Sequence, residues 1–167
     1  MKISRCAALR AALLPMVGFS WQLAMGQTCL FKCLNYLRPE KSVNEYINDF
    51  DSTIGHHQHI YLDGATATVK ETIGFIIREV DTVDIRYKGM FPALHDHCYI
   101  LTTIRVTDEN GNKCDHAIVL TKYRGDIRQL ARVRLWYYDP AAGGIENMSY
   151  CDWLEQEPHY LIAVRIK

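Results

Sequence analysis

The amino-acid sequence predicts an α+β fold, with helices in the first half of the chain and an antiparallel sheet in the second. Three observations carry that prediction. Apolar residues recur at helical spacing up to about residue 80. Beyond residue 82 they give way to short runs rich in branched and aromatic side chains. Turn signals separate those runs, among them Asp108-Glu109-Asn110-Gly111-Asn112 and Asp139-Pro140. The expected arrangement is two lobes, one helical and one built on the sheet.

Composition bounds the answer. A chain of 167 residues, 49% apolar and 11% aromatic, suits one domain with a real core. Nineteen basic residues balance nineteen acidic ones, which argues against a nucleic-acid partner or a dominant polyanion surface and leaves room for a local patch. Six cysteines are too few for a small disulfide scaffold. They suffice for a reactive thiol, a metal site or one or two bridges.

The elements follow in order. Residues 1–26 carry Lys2, Arg5 and Arg10 without an acid, then an apolar stretch over 11–19, then small residues at Ala24 and Gly26. That pattern fits a secretory signal cleaved after Gly26, and equally a first amphipathic helix interrupted near Pro15. Export and cytoplasmic residence both stay open. The stretch is too short and too polar for a membrane span. Residues 27–167 make the single domain. Leu30, Phe31, Cys33, Leu34 and Leu37 take helical spacing, and Pro39 stops that helix. Ser42-Val43-Asn44-Glu45 is a capping box opening a helix to about Phe50. Residues 51–64 are polar and histidine-rich, hence a loop. Thr68-Val69-Lys70-Glu71 is a second capping box, and Val69, Ile73, Ile76, Ile77 and Val80 form the stripe of a helix to about Glu79. Strands are expected over 83–88, 99–106, 117–123, 133–138 and 160–166, with a hairpin turn at 108–112. Ser149 caps a short helix through Leu154.

The candidate chemistry begins with Cys29. A free thiol ionises near a pKa of about 8.5, and a helix start lowers that value through free backbone N–H groups and the macrodipole. Cys29 follows Gly26-Gln27-Thr28 at such a start. The same position also suits a buried helix cysteine. Cys33 lies one turn further along the same face and reads as core. A thiolate needs a base, and His116 opens the apolar run Ala117-Ile118-Val119-Leu120. Asp139 comes 23 residues later, before Pro140. If the strands at 117–123 and 133–138 are antiparallel neighbours, the chain returns Asp139 beside His116, where a carboxylate orients an imidazole.

The run Trp136-Tyr137-Tyr138-Asp139-Pro140-Ala141-Ala142-Gly143-Gly144, the His116-Ala117-hydrophobic strand, Cys29 at a helix start, and a late helix with Trp153 before a final strand resemble the papain-like cysteine peptidases. The nearest resemblance is to the peptidases that remove double-glycine leaders from bacteriocins. The resemblance spans about residues 22–167 and is strongest from 114 onward. It implies a papain-like fold, with the nucleophile-bearing helix packed on the sheet. It further implies a thiol hydrolase that cleaves peptide or isopeptide bonds without a cofactor, and a peptide or protein substrate. Cys29, His116 and Asp139 would form the triad. Gln22 would join the Cys29 backbone N–H as oxyanion donor. Trp153 would pack over the histidine. The sequence departs from the family at Leu30, where a small residue is usual, and Gln22 precedes Cys29 by seven residues rather than six. Gln27 precedes Cys33 by six, so a Gln27/Cys33 pairing is the rival assignment.

Gly26-Gln27-Thr28-Cys29-Leu30-Phe31-Lys32 is also similar to the nucleophile motif of the ovarian-tumour deubiquitinases, which end in a His-Tyr strand like His159-Tyr160. Cys29 through Asn35 is similar to the Josephin deubiquitinases as well. Acyl transfer or deubiquitinase-like activity on the same fold, and a catalytically inactive peptide-binding relative, are the alternatives. His56-His57-x-His59 and His95-Asp96-His97-Cys98 hold metal-type ligands without a known paired spacing, so no metal is expected. Lys122, Arg124, Arg128, Arg132 and Arg134 concentrate positive charge, with Asp126 as the acid among them.

Overall fold

The computed structural model describes residues 28–54, 69–83, 89–107, 111 and 113–166. Residues 1–26, with Gln22, lie outside that range, and so do Gln27, Thr68 and His56, His57 and His59. Helices α1 (Cys29–Leu37), α2 (Val43–Ile54) and α3 (Val69–Glu79) come first. Next are β1 (Thr82–Val83), α4 (Met90–His95), β2 (Cys98–Thr107) and β3 (Lys113–Arg124). A 3-10 turn at Leu130–Arg132 leads into β4 (Arg134–Asp139) and β5 (Gly144–Ser149), and α5 (Tyr150–Glu155) and β6 (His159–Arg165) close the fold.

The strands make one sheet in the order β1-β6-β2-β3-β4-β5, and every neighbouring pair is antiparallel. The α+β class holds, but the two expected lobes do not separate. Helices cover both faces of the same sheet instead. On one face, α1, α2 and α3 bury Leu30, Phe31, Tyr46, Phe50 and Phe75 against Leu101, Ala117, Val119 and Val164. On the other, α4 and α5 bury Met90, Leu94 and Trp153 against Ile100, Ile104, Ile118, Leu120 and Leu135. The strand pleat explains the split. Ala117 and Val119 point one way and Ile118 and Leu120 the other, so β3 is buried on both sides.

The capping box forms as expected. The Ser42 amide donates to Glu45 Oε2 at 2.7 Å, and the Glu45 amide donates to Ser42 Oγ at 3.3 Å. The helix it opens runs to Ile54, past the expected end near Phe50 and into the expected loop. Ser149 likewise caps α5, accepting the Asp152 amide at 3.0 Å. Two elements have no counterpart in the sequence reading. Helix α4 is six residues long and contains Pro92, so no apolar stripe could develop. Strand β5 exposes Glu146 and Asn147 at the sheet edge, where no apolar alternation is required. Of the strand expected over 83–88, Val83 is described and ends β1, and the remaining residues lie outside the described range.

Candidate functional site

The site is built where two strands part. Strands β2 and β3 pair through the whole hairpin, from Thr107↔Lys113 to Ile100↔Leu120. Strand β4 joins β3 only from Val119↔Tyr138 onward. The first half of β3 therefore has an edge that β4 leaves uncovered. His116 lies on this half, four residues into the strand rather than at its opening as the sequence suggested. That places it deeper in the sheet than a loop-borne base, with neighbours that fix its backbone.

Asp139 is the last residue of β4, one past the rung at Tyr138. Beyond that rung the Asp139 carboxylate reaches back to His116, and it lies near enough to α1 to act on the Cys33 thiol. His116 Nε2 lies 2.8 Å from Asp139 Oδ1. The same carboxylate oxygen accepts the Ala141 amide at 2.8 Å, and the Asp139 carbonyl accepts the Gly143 amide at 2.8 Å. The Asp-Pro turn thus holds the carboxylate in place before it orients the histidine. With Nε2 donating to Asp139, a neutral imidazole presents Nδ1 as its free acceptor.

Helix α1 starts at the uncovered edge. The Ala117 amide donates to Cys29 Sγ at 3.5 Å, and Cys33 Sγ donates to the Ala117 carbonyl at 3.4 Å. An antiparallel residue aims its N–H and C=O to the same side. Two sulfurs one helical turn apart therefore stand in for the strand β4 does not supply. Cys29 meets the backbone of the residue immediately after His116. Its hydrogen bond is to that amide, and none joins it to His116 itself. At the other end of α1, Tyr36 stacks on Tyr138 with ring centroids 4.2 Å apart and planes at 3°. The helix is thus pinned at both ends, against β3 and against the residue preceding Asp139.

The electrostatics of Cys29 differ from what a helix start implies. Its thiol is pushed up from an ordinary 9.0 because it is buried, with 8% of its surface exposed. The amides of Ala117, Leu30 and Cys29 pull the other way and do not outweigh burial. Left to itself, Cys29 is a thiol at neutral pH. Cys33 is fully buried and is raised further, first by burial and then by Cys29 and Asp139. That matches its reading as a core residue.

Burial of these acids has a consequence for stability. Cys29, Cys33, Tyr36 and Tyr138 all carry folded pKa values above their ordinary ones. A raised folded pKa favours the fold below the unfolded value and loses that contribution as pH rises through the folded value. The protein is expected to hold its melting temperature up to about pH 9 and to lose it steeply above. Calorimetry between pH 7 and 11 checks this. A flat profile would show that the thiols and phenols ionise without disturbing the packing.

Other sequence candidates fall elsewhere. His159 lies on β6, which β2 separates from β3, and its carbonyl accepts the Thr102 and Thr103 hydroxyls at 2.9 and 3.2 Å. The histidine that meets a carboxylate beside the α1 cysteine is His116. Trp153 is buried on the same side of the sheet as Ile118, beside Tyr150. Among the described residues no three His, Cys, Asp or Glu side chains gather to hold a metal, so His95, Asp96, His97 and Cys98 form no such site. Cys29, Cys33, Cys98, Cys114 and Cys151 form no disulfide. No helix among the described residues is long and apolar enough to cross a membrane. The sequence reading missed the backbone of Ala117, which carries no side-chain signal. No protein-family model, curated protein or solved structure matches the chain.

Proposed function

We propose that the chain is a papain-like cysteine hydrolase that cleaves a peptide or isopeptide bond. The observation that carries this reading is the His116–Asp139 pair at 2.8 Å, set on the strand whose next residue bonds the sulfur of a helix-opening cysteine. A buried thiol with a raised pKa needs a base more than an exposed one does. His116 Nδ1 would take the Cys29 proton as sulfur attacks the substrate carbonyl. Asp139 would stabilise the imidazolium that forms. The Cys29 backbone N–H and Gln22 would hold the oxyanion as the resemblance implies. Collapse of the tetrahedral intermediate returns the proton from His116 to the leaving amine and leaves a thioester on Cys29. Water, deprotonated by His116, then hydrolyses it.

The burial of Cys29 favours one second reading, a relative that has kept the fold and binds peptide without cleaving it. Alkylation separates the two. At pH 7, iodoacetamide is expected to modify Cys29 roughly tenfold faster than the half-exposed Cys114 and Cys151, as read by peptide mass mapping. If Cys114 and Cys151 react first and Cys29 lags with Cys33, the cysteine is core packing and the hydrolase reading fails.

A further inference from the structure

A cavity lies away from Cys29, at the far end of β3. It encloses about 500 Å³ and is lined by Lys122, Arg124, His95, His97, Tyr99 and Tyr123 among others. From Ala117 to Lys122 the strand rises roughly 17 Å, so this hollow is separate from the candidate active site. Among the described residues no carboxylate lines it.

Its charges are arranged against the ordinary rules of sheet pairing. Arg124 stands directly across from Arg134 on β4, a rung of like charges that costs stability. The Arg134 guanidinium is held by a neutral acceptor, donating to Asn147 Oδ1 at 3.0 and 2.7 Å. Lys122 Nζ rests 5.2 Å from the centre of the Trp136 ring. Some cations elsewhere on the molecule meet acids: Arg128 pairs with Asp126 at 2.8 Å, Lys41 with Asp49 at 2.7 Å and Arg105 with Glu157 at 3.3 Å. Among the described residues Lys122, Arg124 and Arg134 meet none. Lys122 and Arg124 line the hollow without a carboxylate partner, and Arg134 adds positive charge on the neighbouring strand, so the field here favours a multiply charged anion. The guanidinium fork and the ammonium both suit phosphate oxygens.

We infer that this cavity binds a small molecule carrying two or more phosphate groups. Its volume matches a small-molecule site rather than a groove for a folded partner. The anion would lie across Lys122 and Arg124 and relieve the Arg124–Arg134 rung.

Calorimetric titration of the full chain with inorganic tripolyphosphate at low salt tests this. The wild type is expected to bind, and the Lys122→Gln/Arg124→Gln variant to bind at least roughly tenfold more weakly. Lys113→Gln, at the other end of β3, should bind as the wild type does. Without ligand, the double variant should melt no lower than the wild type, because the like-charged rung is gone. Vesicles containing a polyphosphorylated inositol lipid identify the source. Wild-type capture that tripolyphosphate competes away points to a lipid headgroup, and free binding without capture points to a soluble ligand. Absence of both for the wild type, or equal binding by the double variant, overturns the inference.

Discussion

Alkylation of Cys29 at pH 7 is expected to slow by roughly a hundredfold in His116→Ala, the low end of what a positioned base contributes. Burial raises the Cys29 thiol, so without its base the residue ionises only at alkaline pH. The deficit should therefore be largest near neutrality and shrink as pH climbs past 9, where hydroxide does the work of the imidazole. Asp139→Ala should slow the reaction too, because it removes the acceptor 2.8 Å from Nε2 that fixes the ring and its tautomer. The double variant should be no slower than His116→Ala alone. Residues that act as one unit are not additive, and an orienting carboxylate has nothing to orient once the imidazole is gone. Rates from timed quenching and mass spectrometry give the whole cycle. Multiplying effects, or an Asp139→Ala variant that reacts like wild type, would show that the pair is a structural bridge.

The second large effect concerns the core that sets α1 in place. Phe50→Ala is expected to cost about 3–5 kcal/mol. Phe50 is fully buried and meets Phe31 and Phe75 edge to face, with centroids 5.4 and 5.0 Å away. It thereby joins α2 to both α1 and α3. Against a typical total of about 5–15 kcal/mol, the loss removes a large share of the stability of the domain. Urea unfolding followed by circular dichroism reads it as a fall in midpoint with little change in slope. Phe50→Leu keeps most of the volume and should cost less than about 1.5 kcal/mol. A loss under 1 kcal/mol for the alanine variant would mean that the three helices are held by something other than this aromatic cluster. Because α1 carries Cys29, Phe50→Ala should also blur the difference in reactivity between Cys29 and Cys33.

Much of this arrangement is legible in the residues themselves. Helix α1 takes the bounds that its apolar spacing and Pro39 impose. The capping serines, the β2–β3 hairpin and the β3–β4 pairing are all local matters of pattern and turn chemistry. The meeting of His116 with Asp139 follows from them, since two antiparallel strands of known length have one way to return. Helix α4 and strand β5 were not legible, because one is too short for a stripe and the other too polar for an alternation.

What the sequence could not decide is the state of Cys29. Position at a helix start argues for a lowered pKa, and that argument is sound for a helix end facing water. Here the packing of α1 on β3 removes the water, and desolvation outweighs the amides that point at the sulfur. Nor could it show that β4 leaves the first half of β3 bare, so that a helix supplies the missing partners through two sulfurs. Periodicity and turn residues act between neighbours in the chain and are written in the sequence. Burial and strand-edge exposure depend on residues 80 or more positions away, and only the folded chain brings those together.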